Sequence, residues 1–282
     1  MTAKALEPVV ERAAQAIQDA DAILITAGAG IGVDSGLPDF RGSEGFWKAY
    51  PVIAKLGLSF SQMANPEWFE TDPALAWAFY GHRLNLYRRT IPHIGFQLLL
   101  DAAAQKPKGC FVFTSNVDGQ FQKAGFAPDR IVECHGSIHH LQCTRNCTDE
   151  IWDAADTNVI VDEEIFRATG ALPRCKNCDQ LARPNILMFG DVIWQSHRSD
   201  AQYADFNTWI RSLGKSSAQL VIVEIGAGSA IPTVRHTSEN VAEMTDGTLI
   251  RINPREPEVP RGHLSLPVNA AEGLQKIFQK MP

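Results

Sequence analysis

The stretch Ala22-Ile-Leu-Ile-Thr-Ala-Gly-Ala-Gly-Ile-Gly-Val-Asp-Ser-Gly-Leu-Pro-Asp-Phe-Arg-Gly42 joins a short apolar run to a glycine-rich turn. Ala22–Thr26 reads as a buried strand, because five apolar or β-branched residues precede the glycines. Glycines at such a strand end let the chain turn tightly and bring amide N–H groups close to a phosphate, with a helix start behind them. The spacing fits neither G-x-G-x-x-G nor G-x-x-x-x-G-K-[ST], which argues against an ordinary dehydrogenase or a nucleotide triphosphatase. Taken by itself, the turn is either a nucleotide site or only a tight turn.

Working outward, Cys110–Thr114, Arg130–Cys134, Leu220–Ile225 and Thr248–Asn253 are similar apolar runs, each followed by Gly, Ser, Asn or Pro. Helical patterns lie between some of them. Val10, Ala13, Ala14 and Ile17 repeat on one face from Pro8 to Ala20. Another helix opens at Asp72-Pro73 with Leu75, Ala76, Phe79 and Tyr80, and a third closes the chain with Leu274, Ile277 and Phe278. Strands alternating with helices predict an α/β fold, an open parallel sheet with helices on both faces. Two segments break the alternation: an aromatic, helical stretch, and a cysteine-bearing stretch with an acidic middle. The predicted division is a Rossmann-like domain over 1–44, 93–136 and 184–282, with a helical insertion at 45–92 and a metal-binding module at 137–183 forming a smaller lobe.

The 282 residues carry 45% hydrophobic and 21% charged side chains, enough apolar material for a packed core and unlike a disordered chain. A net charge of -6 and a pI near 5.8 argue against a broad nucleic-acid-binding surface. No apolar run reaches the roughly 20 residues of a membrane helix. Met1 to Pro8 resembles neither a signal nor a transit peptide. A cytoplasmic protein without nucleic-acid or membrane partners is therefore expected. Cys110 and Cys134 sit in strand-like runs and read as inert core residues. The other four cysteines form C-x₃-C (Cys143, Cys147) and C-x₂-C (Cys175, Cys178), two close pairs that suit a closed structural Zn²⁺ site; two pairs of free thiols are the alternative. His135 and the Asn116-Val117-Asp118 triplet both follow predicted strands, at the edge where open α/β sheets bind ligands. An imidazole there suits acid–base work, whereas a lone histidine after a strand is more often simply hydrogen-bonded, and an Asn-x-Asp triplet is more often a turn.

From Gly28 through Arg41 the chain resembles the sirtuin family, the NAD-dependent protein deacylases. The likeness continues in family order through Thr114-Ser-Asn-Val-Asp-Gly119, His135-Gly136, the four cysteines, Arg183-Pro184 with Phe189-Gly190-Asp191, the turn at Gly226 and Ile252-Asn253. The resemblance implies that an acyl-lysine carbonyl oxygen attacks the NAD ribose carbon as nicotinamide leaves, giving O-acyl-ADP-ribose and free lysine. It makes His135 the general base for a ribose hydroxyl, with Asn116 and Asp118 holding ribose, water and the nicotinamide amide. It places Gly28, Ala29, Gly30, Ile31, Asp39, Phe40, Arg41, Trp47, Ser115, Val117, Gly226, Ala227, Gly228, Ser229, Asn253, Pro254 and Ala270 around NAD. Phe189, Gly190 and Val192 fall against the substrate.

Tyr80 and Arg83 match the Tyr-x-x-Arg pair of the class III sirtuins, which accept acidic acyl groups. At i and i+3 they share a helix face, and a guanidinium grips a succinyl or malonyl carboxylate with two parallel bonds. On an arbitrary helix the same pair is an amphipathic edge. Some positions depart from the family: Gly226-Ala227-Gly228 replaces Gly-Thr-Ser, Ser115 replaces Gln, and the chain runs Ala230-Ile-Pro-Thr-Val-Arg235 beyond the turn. Each lost hydrogen bond would weaken NAD binding by about 0.5–1.5 kcal/mol. The expected activity is NAD-dependent removal of succinyl or malonyl groups, and of acetyl groups to some degree, from protein or peptide lysines. An NAD glycohydrolase, an ADP-ribosyltransferase and an idle NAD-dependent binding module are the competing readings.

Overall fold

The computed structural model describes residues 3–38 and 42–281, the side chains of 3–5 and 42–45 excepted. Helix α1 (Ala3–Asp19) leads into strand β1 (Ala22–Ala27) and a 3-10 turn at Ala29–Ser35. Helices α2 (Gly42–Ala49), α3 (Pro51–Lys55), α4 (Phe60–Met63), α5 (Trp68–Thr71), α6 (Pro73–Arg89) and α7 (Ile94–Ala104) follow. Next come β2 (Cys110–Thr114), α8 (Gln120–Lys123) and β3 (Ile131–Glu133). Then come β4 (Gly136–Cys143), β5 (Trp152–Asp153), β6 (Ile160–Asp162), β7 (Arg167–Thr169) and β8 (Ala182–Ile186). The chain ends with α9 (His197–Ser216), β9 (Leu220–Ile225), α10 (Thr233–Thr245), β10 (Thr248–Ile252), β11 (Leu264–Leu266) and α11 (Ala270–Phe278).

Six strands form one parallel sheet in the order β11-β10-β9-β1-β2-β3. With β4 to β8 set aside this is a doubly wound order, and its crevice lies where β1 and β9 meet at their carboxyl ends. The strands are apolar throughout because both faces are covered. Ile23 and Ile25 of β1 pack with Val10, Ile17, Leu99 and Leu274 on one side. Ala22 and Leu24 pack with Phe206, Trp209, Val234 and Val241 on the other, the two-residue alternation of a strand.

Three details differ from the sequence expectation. Helix α1 begins at Ala3 and runs through Pro8, whose exposed position lets water take the hydrogen bond that the ring cannot make. Strand β11 pairs with β10 although the segment before it is rich in proline and only three residues long in its paired part. Helix α9 was not expected, since only Ser199, Phe206, Trp209 and Leu213 of its 20 residues are buried and the apolar stripe is thin.

The second core is aromatic. Phe46, Ile53 and Phe69 from α2, α3 and α5, with Tyr50 between α2 and α3, meet Trp77, Phe79, Tyr80 and Leu84 of α6, Leu141 of β4, and Trp152, Val159 and Phe166 beyond it. Burying each large side chain contributes ~1.5–3 kcal/mol before entropy is counted. Helix α6 is the spine of this lobe. Asp72 caps it by accepting from the Leu75 amide at 3.2 Å, and Pro73 occupies its first turn. The Trp77 indole donates to the Ala182 carbonyl of β8 at 3.0 Å, and Arg88 donates to the carbonyls of Ala154 and Thr157. The helical stretch and the cysteine-bearing stretch thus share one core, folded against an antiparallel sheet of order β5-β4-β8.

Candidate active site

The floor of the site is made by two glycine turns pressed backbone to backbone. The Gly28 amide donates to Ile225 O at 3.0 Å and the Gly30 amide to Gly226 O at 3.1 Å, prolonging the β1–β9 pairing past the strand ends. A Cβ on Gly28 would lie 2.8 Å from both Ala227 Cα and Gly226 O. Gly226 has φ +62, and a Cβ there would meet the Gly30 backbone at 2.5 Å. Only glycine satisfies both demands. Asn253 Nδ2 donates to Ala227 O at 2.7 Å and Asn116 Nδ2 to Gly28 O at 3.1 Å, so both turns are pinned from the flanking strands. His93 adds a tie that the sequence reading missed: its ring lies 3.0 Å from Ile31 O and its amide donates to Ser35 Oγ at 2.9 Å. Backbone turns packed this closely at the β1/β9 crevice fit a dinucleotide laid across the strand ends.

His135 stands between β3 and β4 at the same edge, half-buried. The Cys134 amide donates to Thr114 O at 2.9 Å and the Leu187 amide to His135 O at 3.0 Å, fixing the backbone on both sides. Burial lowers the imidazole pKa, and a hydrogen bond with the Ser115 backbone opposes the shift. The neutral ring, the form able to accept a proton, therefore dominates near neutrality. Asp118 is buried, and burial raises its pKa to about 6 against the pull of the Gln120 amide and the Arg83 charge. Gln120 N donates to Asp118 Oδ1 at 2.9 Å, which sets the carboxyl group's orientation.

Arg83 and Tyr80 lie behind Asp118 on α6, 6% and 1% exposed. The guanidinium carbon is 5.1 Å from the Phe79 ring centroid, 5.7 Å from Tyr80 and 5.6 Å from Tyr87, an aromatic enclosure for a cation. The Tyr80 ring stacks on Phe69, and its hydroxyl has no hydrogen-bond partner among the described residues. Burial pushes that phenol up to about 12, so it remains a neutral donor. The buried phenol thus lies one helical turn from a buried guanidinium on α6.

The four cysteines converge as their spacing suggests. All four Sγ atoms lie within 4.8 Å of one another, with Cys143–Cys178 and Cys147–Cys175 at 3.6 Å. These separations are too long for disulfides and close to the ~3.8 Å edge of a tetrahedron with Zn–S near 2.3 Å. The Arg145 amide donates to Cys143 Sγ and Asn177 Nδ2 to Cys147 Sγ, bonds that stabilise thiolate ligands. The donor set fits Zn²⁺ with no open position. Cys110 and Cys134 are pushed up by burial to about 11 and about 12, consistent with inert thiols.

The remaining expected residues are spread more widely. Ser229 has its amide and hydroxyl on the Glu256 carboxylate at 2.8 and 2.9 Å, so its hydroxyl is already engaged. Ala227 is buried under the turn, Pro254 is exposed, and Ala270 is buried where Asp34 accepts from the next amide at the start of α11. The Trp47 indole donates to Leu58 O at 2.7 Å and packs with the aromatic core, as does Val117. Phe189 and Val192 are 40% and 95% exposed on a loop with Gly190 at φ +71. That loop folds around the Asp191 carboxylate, which is ion-paired with the fully buried Arg183. Asp39, Phe40 and Arg41 lie outside the described residues.

Comparison with known proteins gives the family and the fold. The model of the Sir2 family matches residues 28–218. An NAD-dependent protein deacylase of Thermococcus sibiricus is 30% identical over 190 residues, 66% of this chain and 67% of that protein. The mitochondrial NAD-dependent protein deacylase sirtuin-5 of Danio rerio is 30% identical over 185 residues, 61% of this chain and 57% of its own length. A solved Sir2 homologue–NAD complex superposes with a TM-score of 0.68 at 24% identity, covering 95% of this chain and 92% of the other. The chain belongs to the Sir2 family. Its fold is the Rossmann-like sheet with a smaller lobe that bears the cysteine cluster.

Proposed function

We propose that the protein is an NAD-dependent protein-lysine deacylase that prefers acyl groups ending in a carboxylate. The observation that carries the preference is the buried Tyr80 hydroxyl, which has no hydrogen-bond partner among the described residues, one helical turn from the buried Arg83 guanidinium. Leaving a phenol unsatisfied in the interior costs about 1–3 kcal/mol, a cost that a substrate carboxylate would remove on binding. The family relationship and the names of the curated relatives support NAD as co-substrate and acyl-lysine as the other.

NAD supplies the ribose carbon to which the acyl oxygen bonds as nicotinamide departs. The paired glycine turns at Gly28 and Gly226 would carry the dinucleotide, with Asn116 and Asp118 at its nicotinamide end. His135, neutral at physiological pH, takes the proton of a ribose hydroxyl so that the oxygen can attack the acyl carbon. Phe189, Gly190 and Val192 would line the substrate backbone, and Tyr80 with Arg83 would hold the far end of the acyl chain. The cysteine quartet would hold a structural Zn²⁺ that stabilises the small lobe and takes no part in the reaction.

The test is product identification by mass spectrometry after incubation with NAD and a succinyl-lysine, acetyl-lysine or unmodified peptide. Succinyl-ADP-ribose, nicotinamide and free lysine in equal amounts are expected from the first peptide. Nicotinamide released equally with all three, with ADP-ribose as the only other product, would replace deacylation by NAD hydrolysis. An acyl-ADP-ribose formed mainly from the acetyl peptide would keep the reaction and discard the carboxylate preference.

A further inference from the structure

We infer that Tyr87 is a positioning residue for acyl selection: its phenol fixes the Arg83 guanidinium and so sets how well an acidic acyl group is held. The inference rests on the reading of Arg83 as the carboxylate-binding group. Tyr87 follows Arg83 by four residues on α6, so the two share a helix face. Arg83 Nε donates to the Tyr87 hydroxyl at 3.0 Å, and the Tyr87 ring centroid is 5.6 Å from the guanidinium carbon. Both side chains are buried.

The geometry matters because guanidinium is planar, with its N–H groups in a fixed fork. A bond at Nε, combined with the ring against its face, sets both the plane and the direction of the Nη groups. The chemistry of the anchor matters equally. A phenol accepts from Nε while remaining neutral, since burial raises its pKa further. A carboxylate in its place would neutralise Arg83 and compete with the acyl carboxylate for the same cation. Tyr87 is itself held from behind: Gln120 Nε2 donates to its carbonyl at 3.2 Å, and the Gln120 amide donates to Asp118 Oδ1. The acyl arm and the Asp118 loop are therefore one connected unit.

Tyr87→Phe keeps the ring and removes only the hydroxyl. We expect KM for a succinyl-lysine peptide to rise about tenfold with a smaller change in kcat, as for the loss of one hydrogen bond to a charged group. The succinyl-to-acetyl ratio of kcat/KM should fall by a similar factor. That ratio is independent of the fraction of folded enzyme, so partial misfolding does not mimic the effect. An equal loss on both peptides, or an unchanged ratio, overturns the inference.

A second readout needs no turnover. In ¹⁵N-arginine-labelled full-length protein, the Arg83 Nε–H signal, assigned by its absence in Arg83→Lys, should exchange slowly with solvent and lose that protection in Tyr87→Phe. Unchanged protection overturns the anchor. If the wild-type enzyme shows no preference for succinyl-lysine, the carboxylate reading fails and acyl selection by Tyr87 fails with it, while the exchange measurement still decides whether Tyr87 holds Arg83.

Discussion

Two titrating side chains at the edge of the sheet make opposite demands of the fold. Burial lowers the His135 pKa from the ordinary imidazole value, so a base there keeps its working form to lower pH than a free imidazole would. The acid limb of a kcat/KM profile should therefore be centred below the ordinary imidazole value; an acid limb centred above 7 would contradict the assignment. His135→Ala should lose at least 10²-fold in turnover with an unaltered circular dichroism spectrum, because positioned acid–base groups contribute about 10²–10⁴. Asp118 behaves the other way. Its folded pKa of about 6 lies above the ordinary 3.8, so the folded state binds the proton more tightly. Its contribution to stability is present at low pH and is lost as pH rises through about 6. Asp118→Asn should be inactive yet more stable than wild type at pH 8, by about 3 kcal/mol in denaturant unfolding. The difference should vanish near pH 4. These residues were legible because each follows an apolar run in a recognisable motif. Tyr87 and His93 were not, since their roles arise from contacts that only the folded chain creates.

Among the elements, the cysteine module and the start of β4 depend on the narrowest geometric conditions. Four thiols placed to hold one ion would tie Cys143 to Cys178 where β5, β6 and β7 are only two or three residues long. Cys175→Ser should purify without its equivalent of zinc, measured by atomic emission, and the small lobe should melt at lower temperature than the rest. A single transition at the wild-type temperature would show the ion to be dispensable. Gly136 has φ +77, and an added Cβ would stand 2.0 Å from Asn185 O. Gly136→Ala should cost more than the roughly 1–2 kcal/mol of left-handed strain alone and should displace His135, lowering both Tm and kcat. The central strands could be read from their apolar runs, because a parallel sheet buries both faces. Helix α9 and strand β11 could not: one exposes most of its length, and the other has three residues behind a proline-rich approach.

In the whole molecule, the sheet edge of the larger lobe and the aromatic core of the smaller one meet where α6 passes behind Asp118. The resemblance carried by the glycine turn, the Asn116–Asp118 triplet and the cysteine pairs extended over most of the chain, and the fold agrees with it. The packing of the helical stretch with the cysteine-bearing stretch needed long-range contacts, such as Trp77 with Ala182 and Arg88 with Ala154, that no local pattern encodes. Among the described residues no helix is long and apolar enough to cross a membrane. Under the proposed function, a buried cation on α6 and a phenol without a hydrogen-bond partner among the described residues select acyl groups bearing a carboxylate. The most direct measurement is a competition in one vessel, with equal succinyl-lysine and acetyl-lysine peptides, limiting NAD and mass-spectrometric counting of the two acyl-ADP-ribose products. The ratio reports relative kcat/KM without separate rate constants. Succinyl product in excess by tenfold or more is expected, with the excess lost in Arg83→Met. Equal products, or acetyl product in excess, would contradict the claim.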